Sequence, residues 1–97
     1  MTRDERFTTI NKNFIIKNKV GLHARPATLL VQTSRRYESK IEIRKNNHQV
    51  NGKSLLSILS LGAEQNSMIT IIAQGVDAAY AIQDLAKLIE SNFGEPE

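Results

Sequence analysis

The 97-residue chain has no cysteine and no tryptophan, and only five aromatic residues in all. The missing cysteines exclude disulfide staples, thiolate metal sites and cysteine nucleophiles, and they fit a reducing compartment. The scarcity of aromatics means that any core must be assembled from Ile, Leu, Val and Ala. No apolar run approaches the roughly 20 residues that a membrane helix requires. The N-terminal stretch MTRDERFTTINKN is polar and carries acids, so no secretory signal is expected. There is also no glycine-rich phosphate loop, no helical metalloprotease motif and no close pair of carboxylates. Two histidines alone do not make a metal cluster. This inventory argues against a self-contained enzyme, a metal centre or a resident cofactor, and favours a single small cytoplasmic domain.

What is present is distributed unevenly. Residues 1–53 hold 12 Lys and Arg against 4 Asp and Glu, whereas residues 54–97 hold 1 against 6, so a net charge of +3 conceals halves of +8 and −5. A basic half serves either as a solvated face or as a docking surface for phosphate, nucleic acid or an acidic partner. Arg35-Arg36 and Arg44-Lys45 are its densest points. No aromatic pair stands on a strand for base stacking and no Gly-x-x-Gly loop is present, so a nucleic-acid partner is not expected.

Hydrophobic spacing supplies the order of elements. Residues 1–8 are charged and aperiodic, which predicts a flexible extension ahead of a domain over residues 9–97. Residues 9–17, centred on a Phe-Ile-Ile run, predict a first strand. After Gly21, the spacing of Ala27, Leu30, Val31 and Ser34 predicts a helix with Pro26 in its first turn. Strict alternation over residues 40–44 predicts a half-buried strand, and Asn46-Asn47 a hairpin turn into a short return strand over residues 48–51. Residues 54–62 predict a short helix with Ser54 as N-cap and Gly62 as its stop. Its leucines wrap more than one face, which is excessive for a helix covered on one side. Residues 68–73 predict a central strand. Asp77 is positioned to cap a last helix with a stripe of Ile82, Leu85, Leu88 and Ile89, running to Gly94. The order βαββαβα predicts an α+β open-faced sandwich: a four-stranded antiparallel sheet with three helices on one face.

The chemistry concentrates in Gly21-Leu22-His23-Ala24-Arg25-Pro26-Ala27. His23 falls where a loop enters a helix, beside unpaired first-turn N–H groups and the positive end of the helix dipole, which favour an anion. Arg25 can turn a planar guanidinium to the same point. An exposed, neutral imidazole there suits a phosphoryl acceptor. The alternative is a histidine that merely caps a helix. His48 lies in the hairpin and reads as a solvated surface residue. Ser57 and Ser60 read as helix surface, and Tyr37 and Tyr80 as packing residues with their hydroxyls outward.

The stretch from Gly21 to Thr28 resembles the active-site signature of HPr, the histidine-containing phosphocarrier of the bacterial sugar phosphotransferase system. Asn51-Gly52-Lys53-Ser54-Leu55-Leu56-Ser57-Ile58-Leu59-Ser60-Leu61-Gly62 resembles that family's second signature, around a regulatory serine. The spacing between the two agrees, and the likeness extends over about residues 9–93. It implies that His23 takes phosphate on Nδ1 from enzyme I and passes it to IIA components of sugar permeases, without independent turnover. It implies that Arg25 steadies the phosphoryl group, with the Ala24 and Arg25 backbone N–H groups binding it. Ser54 matches the serine modified by HPr kinase/phosphorylase, and Leu55, Leu56 and Leu59 an exposed patch for docking partners. It further implies a monomer, no cofactor, no metal, and in some lineages a transcriptional regulator as partner. The competing reading within the family is a regulatory paralogue acting mainly through Ser54. Two positions depart from the family pattern: Val20 replaces a side-chain donor near the phosphoryl group, and Gly52 replaces a larger residue, which is expected to loosen the start of the second helix.

Overall fold

A computed structural model of the chain describes residues 8–96. Its elements are β1 (Thr9–Ile15), α1 (Ala24–Ser34), β2 (Lys40–Lys45), β3 (His48–Asn51), α2 (Leu55–Leu59), β4 (Met68–Gln74) and α3 (Ala78–Glu90), followed by a 3-10 turn over Asn92–Gly94. The strands form one antiparallel sheet in the order β1-β4-β2-β3. Alternation decides its faces. Ile41 and Ile43 of β2 and Ile69, Ile71 and Ala73 of β4 are buried on one side, paired as Ile43 with Ile71 and Ile41 with Ala73. The helices cover that side, their Ala27, Leu30, Val31, Ile58, Ala81, Leu85 and Ile89 joining the same core. The opposite face stays open, and on it Thr70 Oγ1 donates to Asn13 Oδ1 across the β1–β4 pair. The expected open-faced α+β sandwich is what the chain forms.

Several local expectations need correcting. β1 stops at Ile15, although Ile16 continues the pairing by donating to the Ser67 carbonyl and accepting from Asn66 N–H. The expected extension over residues 1–8 lies, apart from Thr8, outside the described residues; the Thr8 carbonyl accepts from Gly75 N–H. Asp77 stands at the N-cap of α3 but makes no side-chain cap bond. Its carboxylate instead accepts from Glu38 N–H at 2.8 Å, Ser39 N–H at 2.9 Å and the Ser39 hydroxyl at 2.5 Å, closing the loop between α1 and β2. Burial alone would push this carboxyl up, but the hydroxyl and backbone donors outweigh it and hold it below the ordinary 3.8.

Gly52 does not loosen the start of α2. A Cβ there would lie 2.7 Å from Ile41 Cγ2 and 3.1 Å from the Ile41 carbonyl oxygen, and Gly52 N–H donates to that same carbonyl. The glycine is what lets the chain lie close against Ile41 of β2 as it leaves β3. Tyr80 is exposed rather than packed, whereas Tyr37 is half-buried with its hydroxyl hydrogen-bonded to Asp84 Oδ2.

Helix α3 also ends earlier than its stripe predicts. Asn92 and Phe93 adopt left-handed backbone (φ 55° and 57°) and Gly94 follows at 71°. Left-handed geometry costs a bulky residue roughly 1–2 kcal/mol; here the Phe93 ring is buried in the core, which offsets that cost. The reversal turns the chain end back toward the start of α1.

Candidate functional site

His23 is the N-cap of α1, with extended backbone (φ −79°, ψ −173°) and no side-chain cap bond. The plain helix-capping alternative therefore fails on geometry, since the ring is spent elsewhere. Local structure explains how it is presented. Gly21 has φ +64°, and a Cβ on it would fall 2.4 Å from the Ala63 carbonyl oxygen, so only glycine lets this loop press against the segment before β4. Leu22 N–H donates to the same Ala63 carbonyl and its side chain is buried. With Leu22 turned inward, the next side chain turns outward, and the His23 side chain is 42% exposed. The His23 carbonyl accepts from Ala27 N–H. The Ala24 and Arg25 amides precede the first intrahelical bond and have no helix carbonyl within reach, and Pro26 has no N–H to offer. Val20 is exposed and brings no donor to the loop.

The chain end completes the arrangement. Glu95 Oε2 lies 3.0 Å from His23 Nε2 and 3.6 Å from an Arg25 guanidinium nitrogen. Its other oxygen accepts from Asn18 Nδ2 at 2.8 Å, and the same Nδ2 donates to the Gly21 carbonyl. Arg25 Nη1 donates to the Phe93 carbonyl at 2.9 Å. The hydrogen bond to His23 is the main cause holding the Glu95 carboxyl below its ordinary 4.5; desolvation opposes it, and Asn18 with the charges of His23 and Arg25 adds to it. Neither Glu95 nor Asn18 emerged from the sequence as a site residue. Glu95 is 72 positions from His23, so no local spacing signals it. Asn18, three residues before the left-handed Gly21, carried a weak turn signal.

The second motif forms as expected at its start: the Ser54 hydroxyl accepts from Ser57 N–H at 3.4 Å as N-cap of α2. Lys53, just before it, is tied to the Tyr37 carbonyl through Nζ. The apolar patch needs one correction. Leu55 is partly buried against the core, together with Ile58 three residues on, so it belongs to the inner face of α2. Leu56, 80% exposed, and Leu59, 36% exposed, form the outer face at the same helical spacing. Ser60 Oγ bonds back to the Ser57 carbonyl and His48 is exposed at the hairpin. Arg35 donates to the Lys53 carbonyl, Arg36 to Thr33 Oγ1 and Lys45 to the Gly62 carbonyl, so these cations brace the fold. Among the described residues, no group of three or more His, Asp or Glu side chains is placed to hold a metal ion, and no helix is long and apolar enough to cross a membrane.

Residues 10–91 match the family model described as the PTS HPr component phosphorylation site. The chain is 44% identical over 87 residues to the phosphocarrier protein HPr of Buchnera aphidicola subsp. Baizongia pistaciae, covering 90% of this chain and 92% of that one. Its fold superimposes on the crystal structure of HPr-C-His from Thermoanaerobacter tengcongensis with a TM-score of 0.88 at 46% identity, covering 91% and 99% of the two chains. It also resembles Crh, the catabolite repression containing protein of Bacillus subtilis, solved as a swapped dimer (TM-score 0.69, 36% identity, 79% and 88% covered). An exposed histidine at a helix start, the open-faced sandwich beneath it and matches spanning nearly the whole chain lead to one assignment: the protein belongs to the HPr family of phosphocarrier proteins of the phosphotransferase system.

Proposed function

We propose that the protein is a covalent phosphoryl relay that accepts phosphate from phospho-enzyme I on His23 Nδ1 and passes it to IIA components of sugar permeases, without turnover of its own. The observation that carries this reading is the His23 ring itself: exposed, at a helix N-terminus, with its Nε2 face occupied by Glu95 and its Nδ1 open. A phosphoryl group on Nδ1 would meet the unpaired amides of Ala24 and Arg25 and the free guanidinium nitrogens of Arg25, all donors to an anion. Histidine suits a relay because the N–P bond keeps a high transfer potential, whereas a phosphoserine ester would be too stable to pass on.

Ser54 is the regulatory site of this reading, modified by an HPr kinase/phosphorylase. Partners dock over Leu56 and Leu59, beside which a phosphate on Ser54 would sit; burying that charge against an apolar or acidic partner surface is costly. The protein acts as a cytoplasmic monomer with protein partners, with neither cofactor nor nucleic acid. Incubation with enzyme I and phosphoenolpyruvate labelled in its phosphate, followed by mapping of the label, tests the relay: it is expected on His23. The likeness to Crh favours a second reading, a regulatory relative acting through Ser54; label entering Ser54 from a nucleotide, with none entering His23 from phosphoenolpyruvate, would establish it instead.

A further inference from the structure

We infer that Glu95 is a positioning residue for His23: its carboxylate, clamped by Asn18, fixes the proton on Nε2, leaves the attacking lone pair on Nδ1, and faces the positive charge the ring gains when phosphorus binds. The inference rests on the proposed role of His23 as phosphoacceptor.

An ionised carboxylate only accepts hydrogen bonds, so the 3.0 Å contact requires Nε2 to be the donor. In the neutral ring, the other nitrogen is then the nucleophile. The contact with His23 holds the Glu95 carboxyl below its ordinary 4.5, so it is ionised at neutral pH. The clamp is built rather than incidental. Asn18, 5% exposed, grips Oε1 with the same nitrogen that holds the Gly21 carbonyl. The buried Phe93 ring and the Arg25 bond to its carbonyl fix the turn that delivers Glu95. One carboxylate thus touches the loop before His23 and the ring itself.

During uptake the Nδ1 lone pair forms the N–P bond while the bond from phosphorus to the donor breaks, its electron pair staying with the donor. The proton remains on Nε2, so the ring becomes a cation facing the Glu95 carboxylate. On onward transfer the N–P bond breaks, its pair returns to Nδ1 and the ring is neutral again. The logic is that of a carboxylate orienting a histidine through the nitrogen that does not react.

Two readouts test this on the full chain. The first is ¹⁵N chemical shifts of the His23 ring in the free, unphosphorylated protein at a pH where the ring is neutral. The wild type is expected to hold its proton on Nε2; Glu95→Ala is expected to show a mixture of tautomers, and Asn18→Ala a smaller shift in the same direction. The second is the single-turnover rate of uptake at saturating phospho-enzyme I. It is expected to fall about tenfold in Glu95→Ala, the size of one charge-assisted contact felt in the transition state, with Glu95→Asp recovering part of the rate and the half-saturating donor concentration unchanged. Identical ring shifts in wild type and Glu95→Ala would overturn the inference while leaving the phosphoacceptor role intact. A wild type that takes no label on His23 would overturn the phosphoacceptor role, and the ring shifts would still decide whether Glu95 sets the tautomer.

Discussion

Replacing Arg25 with alanine separates two roles that the structure gives to one side chain. The signature alone suggests an arginine that faces solvent and acts only on phosphoryl charge, so that its loss would leave the fold untouched. In the structure, however, Nη1 donates to the Phe93 carbonyl at 2.9 Å and stands 3.6 Å from Glu95, while the side chain remains 54% exposed. The solvent-screened ion pair with Glu95 adds little, and the hydrogen bond to the carbonyl contributes about 0.5–1.5 kcal/mol net. Arg25→Ala should therefore lower the thermal midpoint by roughly 4–8 °C, the equivalent of about 1 kcal/mol in a domain of this size. The effect on transfer is separate. A charged donor to the phosphoryl oxygens is worth about 1.5–3 kcal/mol, or roughly ten- to hundredfold in rate if fully felt in the transition state. Quenched-flow transfer from labelled phospho-enzyme I, alongside melting curves, reads both. Arg25→Lys sharpens the comparison, because one ammonium reaches either the Phe93 carbonyl or the phosphoryl group and lacks the fork that serves both. It should restore one readout more than the other. A wild-type transfer rate in Arg25→Ala would refute the catalytic part, showing that the helix amides suffice. An unchanged midpoint would refute the anchoring part.

Ser54→Asp, or phosphorylation of Ser54, should slow uptake by His23 while leaving the melting midpoint nearly unchanged, since a negative group at the start of α2 is electrostatically favoured while a docking partner must desolvate it. Equal rates would remove Ser54 from regulation, and a large fall in midpoint would show an effect through folding. Gly52→Ala should destabilise by about 1–3 kcal/mol, because the added methyl overlaps the buried Ile41; unchanged denaturant midpoints would disprove the close contact. Asp77→Ala should cost about 1–3 kcal/mol by orphaning the donors of the buried Ser39. Because the Asp77 carboxyl is lowered in the folded state, its contribution is present above the ordinary 3.8 and is lost as pH falls through the lowered folded value. Stability curves of wild type and variant should thus run apart near neutrality and converge in strong acid; a constant gap down to the lowest pH would contradict the charge-based account.

The fold was readable wherever one face of an element is buried. Ile41 and Ile43 alternate with Glu42 and Arg44, and Ala27, Leu30, Val31 and Ser34 mark a helix stripe, so pattern and burial coincide. Legibility failed where a side chain serves a distant segment. Asp77 has the identity and position of a helix cap, yet it is spent on the loop at Ser39, a choice only tertiary structure decides. Leu55 and Leu56 are neighbours of the same type, and which of them turns inward depends on how a five-residue helix is seated against the core. Gly52 looked like slack because a missing side chain suggests freedom; the space it would occupy is filled by Ile41. Of the candidate site, His23 and Arg25 were visible because helix-start chemistry is local in sequence. Glu95 and Asn18 were not, since the carboxylate reaches the ring only through the left-handed turn at Asn92 and Phe93, and nothing in the residues themselves announces that reversal.

A relay of this kind stands or falls on phosphate being carried on the His23 ring. Its most direct measurement is residue-level mapping of label transferred from phosphoenolpyruvate through enzyme I, with the acid and base stability of the adduct determined on the same sample. Label is expected on His23 alone, attached through Nδ1, lost quickly in acid and retained in base, because a phosphoramidate hydrolyses once protonated. Label on His48, or acid-stable label characteristic of a serine ester, would contradict it.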